Sequence, residues 1–437
     1  MLKSACNIPI RFYRARRGNV AVMFALTLVP MLMVVGCAVD YARATFLRSK
    51  LQTAIDSASI SSVSRSSPGY AQAARMTSNG TLNEGIDDAL NIFKGNIADL
   101  SGYQGQTISA VVSKTAATIT SELAFTANVP TSFLGIMGFS NLEITGASKA
   151  EATLPSYIDF YLLLDNSPSM GVAATAADVK KMEDAIGCAF ACHDLSKKVN
   201  NYTIAKSLGV QTRIDILGAA TVQLMNTAVS TRTLTDQFRM AIYDFGATAA
   251  TTDLRLLYKL SSDLPAAKMA AGNLALMTIA REHELGDQQT NFTTILPKLS
   301  DDIGYAGNGT AESPQKYVFF VSDGVADEAN KNCLKPTYGA SRCQSPINPA
   351  LCKAFKDKGI KVAVLYTTYL VLPDTPENYW YYDWIHPFNL SSGSEIAKNM
   401  QACASPGFYF EVSMKDGISE AMNALFHKAI NDARISS

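Results

Sequence analysis

Residues 157–171 read YIDFYLLLDNSPSMG, an almost unbroken apolar run that ends in Asp165, Ser167 and Ser169. A run of this length, apolar on both alternating faces, is the pattern of a strand covered on both sides, as in a parallel sheet with helices above and below. Strands of that kind present functional groups at their C-terminal ends, where the chain leaves the core. The stretch therefore predicts a buried strand with an aspartate and two hydroxyls at the rim of the sheet.

Further runs of the same texture come after it. FRMAIYDFG (238–246), KYVFFVSDG (316–324), IKVAVLYTTY (360–369) and GFYFEVS (407–413) read as strands. RIDILGAATVQLMNTAV (213–229), NFTTILPKLSDDI (291–303), PALCKAFKDK (349–358) and ISEAMNALFHKAINDA (418–433) carry helical spacing between them. Strand and helix alternate, so residues 154–437 are expected to form an α/β domain built on a doubly wound, mostly parallel sheet.

The 437-residue chain has 38 basic and 38 acidic residues, so no net charge marks it for nucleic acid. No charged residue occurs from Gly18 to Val39, a span of roughly 33 Å as a helix, long enough to cross a bilayer. Lys3, Arg11, Arg14, Arg16 and Arg17 precede it. The positive-inside rule then keeps residues 1–17 cytoplasmic and exports the chain beyond residue 39. The apolar run exceeds a usual signal-peptide core and lacks a small-residue exit, so it reads as a retained transmembrane helix. Leu47, Leu51, Ile55 and Ala58 continue helical spacing beyond the membrane. Residues 40–153 then turn to a small α+β linker region. Its expected helix is 83–100, and its strands are TISAVVSK, ATITSELAFTANV and NLEITGASKAEAT.

RRGNVAVMFALTLVP followed by AVDYARATFLRSKLQTAIDSASI resembles the N-terminal anchor of TadG-like proteins of the tight-adherence (Flp) pilus system. Related small pseudopilins carry Glu at the fifth position after the processed Gly, where this chain has Met23. The departure argues for a retained anchor.

The D-x-S-x-S of Asp165, Ser167 and Ser169, the Thr290-Asn291 pair that opens a helix, and the Asp323 of SDG occur in the order of the von Willebrand factor A domain and its metal-ion-dependent adhesion site. That resemblance implies a hard divalent cation, Mg²⁺ or Mn²⁺, held by Asp165, Ser167, Ser169, Thr290 and Asp323, with an acidic group from a partner completing the shell. Thr293 and Thr294 offer alternative hydroxyls.

About 40 residues separate the D-x-S-x-S loop from the helix at 213, far more than an ordinary connection. This insert holds CAFACHD, with Cys188, Cys192 and His193. Haem attachment requires C-x-x-C-H, and a zinc site lacks a fourth ligand nearby. Six cysteines lie after the apolar span, an even number suited to an oxidising compartment. Local proximity pairs Cys188 with Cys192 and Cys333 with Cys343, and elimination leaves Cys352 with Cys403. ENYWYYDWIHPF (377–388) holds both tryptophans and comes after a predicted strand. It reads either as a contact loop or as a loop packed on its own domain. His283, His386 and His427 show no metal-ligand spacing, and no nucleophile elbow or phosphate loop is present.

The sequence therefore predicts a single-pass inner-membrane protein with a cytoplasmic N-terminus and a periplasmic or surface-exposed C-terminal domain. By the two resemblances it is a non-enzymatic, metal-dependent protein-binding component of pilus assembly or anchoring. Its expected partners are pilus-assembly proteins or pilin subunits. Two alternatives are a surface adhesin and a metal-dependent enzyme or chelatase-associated subunit.

Overall fold

The computed structural model describes residues 19–76, 78–281, 290–328, 336–337, 342–389, 393–413 and 417–436. The basic residues before Gly18, together with His283 and Cys333, lie outside these. The chain divides into two compact units, residues 1–154 and 155–437.

The first unit begins with α1 (Asn19–Ser62), a 44-residue helix that contains Pro30. Its two halves differ in kind. From Val20 to Val39 large apolar side chains are exposed around the helix, whereas Ala44, Leu47, Leu51, Ala54, Ile55 and Ala58 form one buried stripe. A helix apolar on all sides suits lipid, and a single stripe suits a protein core. One continuous helix thus carries both patterns, the all-round apolar half first and the single buried stripe after it. After α2 (Pro68–Arg75) and α3 (Asn83–Asn96), the strands β1 (Gly80–Thr81), β2 (Gln104–Thr115), β3 (Thr118–Pro130) and β4 (Asn141–Thr153) make an antiparallel sheet in the order β1-β2-β3-β4. The α1 stripe meets Ala89 and Phe93 of α3 and Leu123, Phe125 and Ile144 of the sheet. At Gly146 of β4 an added Cβ would sit 2.3 Å from Gln52 Oε1 and 2.4 Å from Phe125 Cε1, so only glycine lets α1 lie this close to the sheet.

The second unit contains β5 (Ile158–Leu164), α4 (Ala176–Ile186), α5 (Asn201–Ser207), α6 (Arg213–Thr231), β6 (Phe238–Asp244) and β7 (Arg255–Ser261). It continues with α7 (Leu264–Gly272), α8 (Phe292–Ile303), β8 (Gln315–Ser322), β9 (Val325–Glu328), β10 (Pro336–Thr337) and β11 (Arg342–Pro346). The last elements are α9 (Lys353–Asp357), β12 (Lys361–Thr367), α10 (Glu395–Cys403), β13 (Tyr409–Val412) and α11 (Ile418–Ser436). The main sheet runs β13-β12-β8-β5-β6-β7, parallel throughout except for β7, which pairs antiparallel with β6. This is the doubly wound sheet that the apolar runs predict. Alternate residues of β5 feed opposite cores. Phe160, Leu162 and Leu164 pack with α6, α7 and α11, whereas Tyr161 and Leu163 pack with the layer that includes α4, α8 and α10. Asp159, buried within β5, is held by a two-pronged pair with Arg239 at 2.6 and 2.7 Å.

Strand β5 lies at the centre, and the chain leaves it first for β6 on one side and later reaches β8 on the other. The crevice at the ends of β5 and β8 is therefore a topological switch point, where doubly wound sheets bind their ligands.

The thiol pairings resolve in three ways. Cys352 and Cys403 are joined, their Cα atoms 5.2 Å apart. Cys343 is disulfide-bonded, and Cys333, its expected partner, is outside the described residues. The Cys188–Cys192 bridge is not formed. Between those two residues, Ala189 O accepts from Ala173 N–H and Ala191 N–H donates to Gly171 O, while the Phe190 N–H turns back to Cys188 Sγ at 3.4 Å.

Candidate metal and recognition site

Asp165 is the residue after β5, and Asp323 is the residue after β8. The Asp165 N–H donates to Val321 O at 3.0 Å, which continues the sheet register one step and brings the two strand ends side by side. Both aspartates are fully buried.

The D-x-S-x-S loop is shaped by its own polar groups. Asp165 Oδ1 accepts the Ser167 N–H at 2.9 Å, and Oδ2 accepts the Ser322 hydroxyl at 2.5 Å. Asn166 donates to Gly246 O and Ala275 O and accepts from the Phe245 N–H, which ties the loop to the end of β6. These bonds leave the serine hydroxyls directed along the crevice. Ser167 Oγ and Ser169 Oγ lie 3.0 Å apart, and Ser169 donates to Asp323 Oδ2 at 2.6 Å. On the β8 side, Gly324 takes a positive φ of 72°, and a Cβ there would meet Met400 Cγ at 2.7 Å. The SDG turn therefore requires its glycine.

Burial, and then the neighbouring Asp323, push the Asp165 carboxyl up to about 7. Asp323 has several donors around it. Its Oδ2 also accepts the Tyr369 hydroxyl at 2.6 Å and Nη1 of Arg213 at 3.2 Å, and its Oδ1 accepts the Val325 N–H at 3.3 Å. Arg213 is itself buried. Its Nη2 donates to Thr367 O and Thr367 Oγ1, both at 2.8 Å, and its guanidinium lies 4.6 Å from the centre of the Tyr369 ring. Burial and Asp323 hold the Tyr369 hydroxyl well above its ordinary range.

Of the five residues expected at the site, Asp165, Ser167, Ser169 and Asp323 are brought together. Thr290 is placed by backbone pairing with Asp327, and among the described residues no hydrogen bond joins it to the other four. Thr293, an alternative hydroxyl, bonds instead to Asn291 Oδ1 at 2.8 Å and Glu328 Oε2 at 2.9 Å. Asn291 caps α8 by accepting the Thr294 N–H.

The residues missed by sequence reasoning are Arg213, Tyr369 and Ser322. Arg213 did leave a signal. It stands in register with Leu217, Ala220, Leu224 and Ala228, the buried stripe of α6, where a cation has to find a buried counter-ion.

The donor set suits a hard cation in kind and in spacing. Among the described residues no cluster of three or more His, Cys, Asp or Glu side chains is placed to bind a metal, and the crevice offers two serine hydroxyls beside its two aspartates. The 3.0 Å between the two serine oxygens is close to the separation of neighbouring oxygens around Mg²⁺, roughly 3 Å for bonds of about 2.1 Å. The cation would share Asp323 with Arg213.

The insert and the aromatic loop pack against each other beside this crevice. Trp380 meets Phe190 edge to face at 5.3 Å, and Asn378 donates to Glu183 at 2.8 Å. Tyr381, Ile385 and Phe388 are buried in the domain core. The aromatic loop is thus packed on its own domain, and the contact-loop reading is set aside. His193 stacks on Tyr202, with ring centres 4.9 Å apart.

Residues 18–65 match the family model described as "Putative Flp pilus-assembly TadE/G-like". Among curated proteins none matches the chain. Among solved structures the chain is similar to the vWF domain of the type V pili tip protein Mfa5 from Porphyromonas gingivalis. That match has 11% identity and a TM-score of 0.38, and covers 64% of this chain and 97% of that one. It is also similar to a point mutant of the PilB minor pilin from Streptococcus sanguinis, at 12% identity and a TM-score of 0.33, covering 75% and 78%. The likeness to the TadE/G-like Flp pilus-assembly family thus lies in residues 18–65 of this chain.

Proposed function

We propose that the chain is a single-pass inner-membrane component of Flp pilus assembly or anchoring, and that its second unit binds a pilus protein at the crevice between β5 and β8. The TadE/G-like segment supports the pilus role, and the apolar half of α1 supports the anchor. The observation that carries the binding reading is the convergence of Ser167, Ser169 and Asp323, from separate strand ends, on one set of bonded oxygens.

In this reading Mg²⁺ or Mn²⁺ is held by Ser167, Ser169 and Asp323. Asp165 stands behind them, and Thr290 is the donor from the adjoining loop. Bound there, the cation supplies an electrophilic centre for an acidic side chain of a pilin or pilus-assembly partner. Neutral hydroxyls leave the cation short of negative charge, which favours an added carboxylate. We read the site as one of binding. The hydroxyls of Ser167 and Ser169 bond to each other and to Asp323, and among the described residues no imidazole touches them. The test is calorimetric titration of the full chain in detergent with each cation. Binding is expected for the native chain and not for a folded Ser169→Ala variant. Identical titrations of the two would overturn the metal site.

A further inference from the structure

The loop between β3 and β4, residues 131–140, reads TSFLGIMGFS and contains no charged residue. A folded domain normally turns such a connection polar, yet here Phe133, Ile136, Met137 and Phe139 are all exposed, Ile136 at 70% and Phe139 at 61%. The loop is also held against α1 at a definite level. Asp40 accepts the Phe133 and Leu134 N–H groups at 2.8 Å each and the Ser132 N–H at 3.1 Å. Gly36 is the recess for Phe133, because a Cβ there would lie 2.2 Å from Phe133 Cγ. Cys37 Sγ lies 4.0 Å from Met137 Sδ. The loop therefore stands beside positions 36–40 of the helix, level with the last turn of its apolar span, where Val34, Val35 and Val39 are exposed as well.

Its backbone suits the same surroundings. A peptide group in lipid has to find its partner within the protein. Thr131 N–H donates to Ser140 O, Ile136 to Phe133 O, Gly138 to Gly135 O and Phe139 to Leu134 O, while the Asp40 carboxylate takes three more donors. Thr131, Ser132, Ser140 and Asn141 form a polar collar at the base of the loop.

We propose that residues 133–139 are a second membrane-contact element, inserted among the acyl chains of the leaflet into which the end of the α1 span emerges. The proposal rests on reading α1 as the membrane anchor. The helix and the loop tip together hold the first unit at two points, which fixes its orientation at the bilayer surface as a single helix does not. Asp40 is the clamp between them.

The experiment places a photo-crosslinking phenylalanine analogue at Ile136 or Phe139 in the full chain in native membranes. Val34 on the apolar span and Glu122 on the exposed part of β3 are the comparison positions. Adducts are identified by mass spectrometry. Lipid adducts at 136, 139 and 34 but not at 122 are expected. Lipid adducts at 34 alone, or only protein adducts at 136 and 139, would overturn the loop's insertion and leave the anchor standing. No lipid adduct at 34 would remove the anchor reading and this inference with it.

Discussion

Nη1 of Arg213 lies 3.2 Å from Oδ2 of Asp323, with the arginine side chain 2% exposed and the aspartate side chain fully buried. The carboxylate that ends β8 thus already has a cation from its own chain, and the Tyr369 hydroxyl shares the same oxygen. A metal entering between Ser169 and Asp323 competes with a guanidinium that is itself secured to Thr367. Removing one partner of a buried pair leaves the other uncompensated, which typically costs about 3–5 kcal/mol.

Arg213→Met is therefore expected to lose about 3–5 kcal/mol in EDTA and to recover part of that loss in millimolar Mg²⁺, because a bound cation replaces the missing charge. Chemical denaturation with and without Mg²⁺ measures both. An equal loss in the two conditions would make the guanidinium a structural group with no bearing on metal.

Asp165 contributes to the pH response of the metal-free protein. Its ordinary value of 3.8 is raised to about 7 in the folded chain, by burial first and by Asp323 next. A carboxyl raised on folding contributes stability that is fully present below its unfolded value and is lost as pH climbs through the folded one. Asp244 and Glu328 shift the same way, so the contribution has to be isolated by difference. In EDTA, the native chain should lose stability relative to Asp165→Asn between about pH 4 and pH 7. A difference that stays flat over that range would contradict the assignment.

The Cys352–Cys403 bridge ties the start of α9 to the end of α10 and closes a loop of 51 residues in sequence separation. Chain-entropy arguments give a loop of this size about 4 kcal/mol. The double variant Cys352→Ala, Cys403→Ala should be destabilised by about that amount in denaturant melts. Mass spectrometry of the native chain should find both residues alkylated only after reduction.

Trp380 seals the aromatic loop against Phe190. Trp380→Ala should cost roughly 2–3 kcal/mol, less than the 3–5 of a fully buried aromatic, because the ring is only half-buried. Partner capture per folded molecule should be unchanged, as measured on samples normalised by native-state spectroscopy.

The main sheet was legible in the sequence for a physical reason. β5, β6, β8 and β12 are buried on both faces, so their apolar runs are plain, and the polar residues that end β5 and β8 stand out against them. The edge strand β7, RLLYKLS, is half exposed and carries no such run, and the short helices α4 and α5 lie inside an insert with little periodicity. α7 was equally hidden, since LPAAKMAAG is short and rich in alanine. The carboxylates and hydroxyls of the crevice were readable because D-x-S-x-S and SDG are local patterns. Arg213 and Tyr369 were not, because they meet Asp323 across separations of 110 and 46 residues that only the folded sheet closes. The T-N pattern points to Thr290 by resemblance alone, and its backbone pairing with Asp327 is a long-range feature of the same kind.

We propose that the crevice at Ser167, Ser169 and Asp323 binds a pilus protein with the help of a divalent cation. Its most direct measurement is capture of identified pilin and pilus-assembly proteins from the cell's own membranes, using the full chain and the folded Ser169→Ala and Asp323→Asn variants, each in Mg²⁺ and in EDTA. Capture by the native chain in Mg²⁺, and its loss in EDTA or in either variant, is expected. Equal capture of the same pilus proteins in all six conditions would contradict it.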